Sequence, residues 1–405
     1  MKGPIKNIRS GAIEGLEFLA PIHEWEEGRG SLHVDLVSYK GKKGAIFTYT
    51  NPPVHQMGNP GLEAYLEAFR KIESGEISGA DELSFLILNG AADPVHAGGD
   101  LKESLRKLEE TQEKARELKA KGAPEEAIDA LYNWGDARLD KGFALYESLR
   151  RAGEGLRTVA ICSGGTRFGG SAEVPLMADY LVGDSRSAMC FSESQIGLIP
   201  GWGGVGRAVT KAGFKNSQAM AMTCPIVKAD ELLKIGIYDQ VVDMETPLPR
   251  KARTDNREKD KADYIEALAK NDETPAKPNM PATLQVAVAA PPPPKKRPGS
   301  ESLKSPEEVE AEVARRSDPT RYEALWGKPI KEVKSEIKEL GKPLAPQSIQ
   351  KLQGLFEGFD EDQYDEKAFI KRESEADARL YRDPRFMEGI LATLKGRVAN
   401  FTEVD

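Results

Sequence analysis

The sequence is poor in the residues that build metal and redox sites. Its 405 residues include three cysteines, Cys162, Cys190 and Cys224, and four histidines, His23, His33, His55 and His96. Three distant cysteines form no CxxC pair and leave an odd thiol. That excludes a disulfide framework and accords with a reducing, cytoplasmic setting. The histidines show no metal-ligand spacing, so no metal is expected. No apolar run nears the roughly 18 residues that span a bilayer, and no membrane association is expected. The opening residues, MKGPIKNIRSGAIEGLEF, lack the apolar core and small-residue cleavage site of a secretory signal. An excess of positive charge is also missing. Lys and Arg number 57 against 65 Asp and Glu, a net charge of −8, which argues against a nucleic-acid partner. There is no GxxxxGK[ST], no GxGxxG opens a helix after the first strand, and Ser171 stands in Gly-Ser-Ala rather than GxSxG. Phosphate-loop and serine-hydrolase chemistry are thereby excluded.

What is present is an alternating α/β pattern, over a length that suggests about two to three domains. Ser31–Ser38 and Gly44–Tyr49 read as a hairpin, and Ser84–Leu88 and Thr158–Cys162 as strands buried on both faces. Tyr180–Gly183 and Tyr238–Val242 are further strands. Helical spacing marks Gly61–Ile72, Lys141–Arg151 and Asp230–Ile235. The charge-rich stretch Lys102–Arg138 reads as a helical hairpin broken at Gly122-Ala123-Pro124, either a solvated face or a lid. Four parts result: an N-terminal extension 1–29, a core 30–245 with the insertion at about 102–138, a Pro-rich linker 246–305, and a helical region 306–405. The linker holds four consecutive prolines, Pro291 to Pro294, which favour an extended spacer.

Three glycine-rich segments carry the chemistry. Val95-His96-Ala97-Gly98-Gly99-Asp100-Leu101 follows the strand Ser84–Leu88. Gly164-Gly165-Thr166-Arg167-Phe168-Gly169-Gly170-Ser171-Ala172-Glu173 follows the strand ending at Cys162. The third runs from Glu193 through Pro200-Gly201-Trp202-Gly203-Gly204. In the first two, a strand leads through a glycine turn into a helix start. Glycine leaves the backbone N–H unobstructed, and a helix start has N–H groups without intrahelical acceptors. Two such loops can offer two amides to one anion. Asp100, ahead of a helix, reads as an N-cap.

Together these segments resemble the crotonase (enoyl-CoA hydratase/isomerase) superfamily. Asn51-Pro52-Pro53-Val54 resembles its NPPVNAL segment, Ala97-Gly98-Gly99-Asp100 its AGxD loop, and Gly169-Gly170-Ser171-Ala172-Glu173 with Asp179 its GGGxE…D segment. Glu193…Gly197-Leu198-Ile199-Pro200-Gly201…Gly203-Gly204 resembles PExxxGxxPGxGG. Thr223 to Val242 resembles the end of the core, and Asp383 to Ile390 a terminal family helix. The resemblance implies an α/β fold, a spiral of ββα units with a helical insertion and a helical C-terminal extension.

It also implies roles. The N–H groups of Gly99 and Gly170 would form an oxyanion hole for a thioester carbonyl. Glu173 and Glu193, twenty positions apart, would be the acid/base carboxylates. Ala97, Gly98, Asp100, Leu101, Gly169 and Trp202 would bind the substrate and its coenzyme A. A thioester Cα proton is too weakly acidic to leave in water, so the developing oxyanion needs fixed donors, each worth roughly 3–4 kcal/mol. The expected reaction is hydration of a 2,3-unsaturated acyl-CoA, by a homotrimer or hexamer. The expected cofactor list is empty, coenzyme A arriving with the substrate. The alternative is a hydrolase that opens a cyclic oxoacyl-CoA by C–C cleavage or cleaves the thioester.

Overall fold

The run Gly30–Thr50 alternates β-branched and aromatic residues around Lys40-Gly41, and the chain folds there as a long hairpin. The computed structural model describes residues 15–76, 80–90, 95–242, 280–289 and 301–402. In chain order the strands begin with β1 (Leu16–Glu27), β2 (Gly30–Tyr39) and β3 (Lys42–Thr50), followed by helix α1 (Asn59–Glu73). Next come β4 (Leu83–Gly90), β5 (Val95–His96), α2 (Leu101–Ala120), α3 (Glu125–Asp129) and α4 (Asn133–Ala152). The second glycine loop brings β6 (Arg157–Cys162), β7 (Thr166–Phe168) and α5 (Gly170–Leu176). Then follow β8 (Tyr180–Asp184), β9 (Ala188–Cys190), α6 (Gly204–Ala212), α7 (Phe214–Thr223), β10 (Val227–Lys228), α8 (Ala229–Lys234) and β11 (Gln240–Val242). Beyond them lie α9 (Met280–Ala289), α10 (Pro306–Ser317), α11 (Lys334–Leu340), α12 (Pro346–Phe356), α13 (Glu366–Leu380) and α14 (Pro384–Lys395).

The chain divides into two compact units. The first comprises residues 1–98, 145–189 and 226–298, and the second residues 99–144, 190–225 and 299–405. The first unit holds two sheets, ordered β1-β2-β3-β4-β6-β8-β11 and β10-β9-β7-β5. Strands β4, β6 and β8 are parallel neighbours in the large sheet, while β5, β7 and β9 follow one another in the small one. Each turn of the chain therefore gives one strand to each sheet before a helical segment begins. That repeated ββα unit is the spiral expected from the sequence, and the helical insertion and C-terminal helices are present as well.

On one face of the large sheet, Val37, Ile46, Phe85, Ile87, Val159, Ile161 and Val182 form a core joined by Leu284, Ala287 and Val288 of α9. On α1, Phe69 stacks on Phe47 of β3 with ring centres 4.6 Å apart. Two elements differ from the sequence reading. The stretch 1–29 contains β1, a 12-residue strand antiparallel to β2 with register shifts at Phe18/Ala20 and Pro21/His23. The stretch 246–305 contains α9, an apolar helix anchored to β6, where Arg157 Nη2 donates to the Val288 carbonyl at 2.7 Å. The prolines Pro291–Pro298 and residues 1–14 lie outside the described residues.

The second unit is helical. Its insertion breaks where expected: α2 ends before Gly122, which has φ +70. Arg382, after α13, donates to Asp129 at 2.6 Å and to both Asp136 oxygens at 3.0 and 2.8 Å. These carboxylates hold its guanidinium above the usual arginine value. The insertion is thus tied to the C-terminal helices rather than solvated along its length.

Candidate active site

In the first unit the two glycine loops meet. Gly98 has φ +76, and a Cβ there would lie 2.5 Å from the Phe168 carbonyl oxygen and 3.3 Å from the Gly170 nitrogen. The Gly98 N–H donates to Ser171 Oγ at 3.0 Å. Ser171 stands where the family pattern has its third glycine, and its hydroxyl ties one loop to the other. The segment read as Asn-Pro-Pro-Val supports the first loop from behind. Ala97 N–H donates to the Val54 carbonyl and Met57 N–H to the Gly98 carbonyl, each at 2.7 Å. His55 and His96 lie buried alongside with ring centres 5.1 Å apart.

Gly169 caps α5 with φ +51, and its carbonyl accepts from Ala172 and Glu173 N–H at 2.6 and 3.1 Å. Gly170, the first helical residue, has its N–H ahead of the intrahelical ladder. Glu173, one turn on, is 3% exposed. A carboxylate this buried carries a desolvation cost that an ordinary surface glutamate avoids.

Gly99, Asp100, Leu101, Glu193 and Trp202 belong to the second unit. Asp100 is the N-cap of α2, its Oδ1 accepting from Lys102 and Glu103 N–H at 3.0 and 3.1 Å. Leu101 is the first residue of that helix. Trp202, 5% exposed, packs on α4. Glu193, 7% exposed, opens the short 3-10 turn Glu193–Gln195, and its carbonyl accepts from Ile196 and Leu198 N–H at 2.9 and 3.1 Å.

The segment after Glu193 is held by residues far along the chain. Ala345 N–H donates to the Ser194 carbonyl at 2.8 Å. Asp377 Oδ1 accepts from Ile199 N–H at 2.9 Å. Glu373 accepts from Val205 and Gly206 N–H at 3.2 and 2.9 Å, and Glu366 receives Arg207 Nη1 on both oxygens at 2.6 Å. The three carboxylates stand seven and four positions apart on α13, a spacing that puts them on one helix face. Sequence reading missed all three, because carboxylates in a charged helix carry no sign of the backbone they will meet. Arg138 was missed for the same reason: it stands in a charge-rich stretch yet is 4% exposed.

All three cysteines are free and buried. Burial, with Cys224 and Glu193 adding to it, pushes the Cys190 thiol well up, and burial pushes Cys224 up to about 11. Among the described residues, no group of three His, Cys, Asp or Glu is placed to hold a metal ion.

The enoyl-CoA hydratase/isomerase family model matches residues 143–286. The chain is 29% identical over 192 residues to the fatty acid oxidation complex subunit alpha of Idiomarina loihiensis, covering 47% of this chain and 23% of that protein. It is 26% identical over 163 residues to the subunit of the same name from Psychrobacter cryohalolentis, covering 40% and 20%. The aligned region thus spans about a fifth of the length of these curated relatives. The solved enoyl-CoA hydratase of Rhodobacter sphaeroides aligns with 91% of this chain and 92% of its own, at 16% identity and a TM-score of 0.48. Residues 143–286, the part of the chain that is similar to the enoyl-CoA hydratase/isomerase family, hold the second and third glycine segments with Glu173 and Glu193.

Proposed function

We propose that this chain is an enzyme that processes acyl-CoA thioesters, and that its reaction is the hydration of a 2,3-unsaturated acyl-CoA. The observation that carries the reading is the arrangement in the first unit. The Gly98 loop abuts Gly170, and a buried carboxylate, Glu173, lies one helical turn beyond. In this reading the N–H groups of Gly99 and Gly170 polarise the thioester carbonyl and hold the enolate oxygen. One carboxylate of the pair Glu173 and Glu193 takes a proton from water as its oxygen bonds to Cβ. The other, protonated at the start, gives its proton to Cα. Coenzyme A comes with the substrate, so no separate cofactor is needed. A homotrimer or hexamer in the cytoplasm is the assembly that accompanies this proposal, testable by light scattering.

The deciding experiment is mass spectrometry on a panel of linear, aromatic and alicyclic enoyl- and oxoacyl-CoA thioesters. Hydration adds one water, with coenzyme A retained and the ring count unchanged. Release of free coenzyme A would replace this reading with thioester hydrolysis. Addition of one water with a new carboxylate and a lost ring would replace it with C–C cleavage of a cyclic oxoacyl-CoA.

A further inference from the structure

Gly98 and Gly99 are adjacent glycines with different physical reasons for lacking a side chain. Gly98 sits in the left-handed region against a carbonyl. Gly99 does not have a positive φ, so its backbone would accept alanine. Its constraint is spatial: a Cβ at Gly99 would stand 2.7 Å from Arg138 Nη2, with Cζ next at 3.6 Å.

The end of an arginine side chain would ordinarily move aside, but this one is pinned on several sides. Arg138 Nη1 donates to Ser104 Oγ at 3.2 Å and lies 3.8 Å from Glu103 Oε2. Its guanidinium carbon lies 5.7 Å from the Trp202 ring centre. Glu103 and Ser104 are themselves fixed by Asp100, whose Oδ1 accepts from Glu103 N–H and whose carbonyl accepts from Ser104 N–H at 3.0 Å and Ser104 Oγ at 3.1 Å. A closed circuit results, from Gly99 through Asp100 and Ser104 to Arg138 and back to Gly99.

We propose that Arg138 is a positioning residue for the Gly99 amide, so that the helical insertion aims the first-loop donor. The proposal rests on the reading of Gly99 as an oxyanion-hole donor. Such a donor must stand at about 2.7–3.1 Å from the developing charge, and a displacement of about 1 Å can cost roughly 100-fold in rate. A planar guanidinium can press on Gly99 while reaching Ser104 and Glu103, which a lysine ammonium cannot do at once. The insertion then acts on the chemistry from beneath the loop, in addition to any part it has in covering substrate.

The test is a double-mutant cycle with a parallel spectroscopic measurement, both on the full chain. Gly99→Ala should lower kcat by about 100-fold with KM little changed, the cost of a misplaced donor. Arg138→Gln shortens the side chain and vacates the space. The double variant Gly99→Ala/Arg138→Gln should therefore be no slower than Arg138→Gln alone. Wild-type kcat in Gly99→Ala, or a double variant slowed by the product of the two single losses, overturns the proposal.

Glycine-selective 15N labelling reads positioning without turnover. The Gly99 resonance is identified by its loss in Gly99→Ala, and the Gly170 resonance by its loss in Gly170→Ala. In Arg138→Lys the Gly99 resonance should move while that of Gly170 stays. A Gly99 resonance unmoved by Arg138→Lys overturns the proposal, and this variant keeps the charge should Arg138→Gln not fold. Should no thioester of the panel turn over or shift either resonance, the functional reading fails. The Arg138-dependent shift then decides the positioning claim separately.

Discussion

Glu173 and Glu193 stand on supports of opposite kinds. Glu173 is placed by its neighbours in sequence: a strand, a glycine turn and the first turn of α5, with Gly169 and Gly170 immediately before it. Glu193 opens an isolated 3-10 turn, and the stretch that follows it is fixed by residues 345–377. A local support forms as soon as its own segment folds. A distant one exists only after contacts more than 140 residues apart have closed, at the entropic cost of a long loop. Two groups proposed for one reaction thus depend on different parts of the chain, and variants can separate them.

The largest effect should come from the carboxylates themselves. Glu173→Gln and Glu193→Gln keep size and remove proton transfer, and each should lower turnover by roughly 100- to 10,000-fold. Binding of a CoA thioester, followed by calorimetry, should change little. Full activity in both variants would end the hydratase mechanism. Gly170→Pro comes next. Proline is accommodated at the first helical position, so the fold stands while the N–H is lost. Turnover should fall on the order of 100-fold, and an unchanged rate in folded protein would remove Gly170 from the site.

Two stability variants sharpen the contrast. Leu284→Ala removes a side chain that is 1% exposed in the sheet core and should cost about 2–5 kcal/mol in chemical denaturation. Its turnover per folded molecule should match wild type, because Leu284 packs with Ala287 and Val288 into the core of the large sheet. Asp377→Ala leaves the buried Ile199 N–H without its acceptor and should cost about 1–3 kcal/mol, together with a loss of turnover. Asp377→Asn keeps an acceptor oxygen and should recover part of both. Equal turnover in Asp377→Ala and wild type would show that the distant support is not needed to place Glu193.

Legibility in the sequence followed the same division. Strands β2, β3, β4, β6 and β8 announce themselves by runs of β-branched and aromatic residues, and the loops by their glycines. Asp100 was readable as a cap because capping is decided within three residues. Strand β1 was missed because Pro21 and two register shifts break its alternation. The small sheet was missed because strands of two or three residues have no period to detect. Helix α9 was masked by prolines and charges on either side, although its own Leu-Gln-Val-Ala-Val run is apolar. The carboxylates of α13 and the buried Arg138 had no local signature, since their partners are defined only by the fold. The resemblance over residues 30–245 was legible because its motifs are contiguous in the sequence.

The three buried thiols make a clock for each unit. Cys162 lies on β6 in the sheet unit and is fully enclosed, while Cys224 follows α7 in the helical unit and is 5% exposed. With its thiol pushed up to about 11 by burial, Cys224 is almost wholly protonated at neutral pH and shielded from alkylating reagents. Modification of either cysteine must wait for its own surroundings to open. Brief pulses of reagent across a denaturant series, with peptides resolved by mass, would therefore time the opening of the sheet unit at Cys162 and of the helical unit at Cys224 without any engineered label.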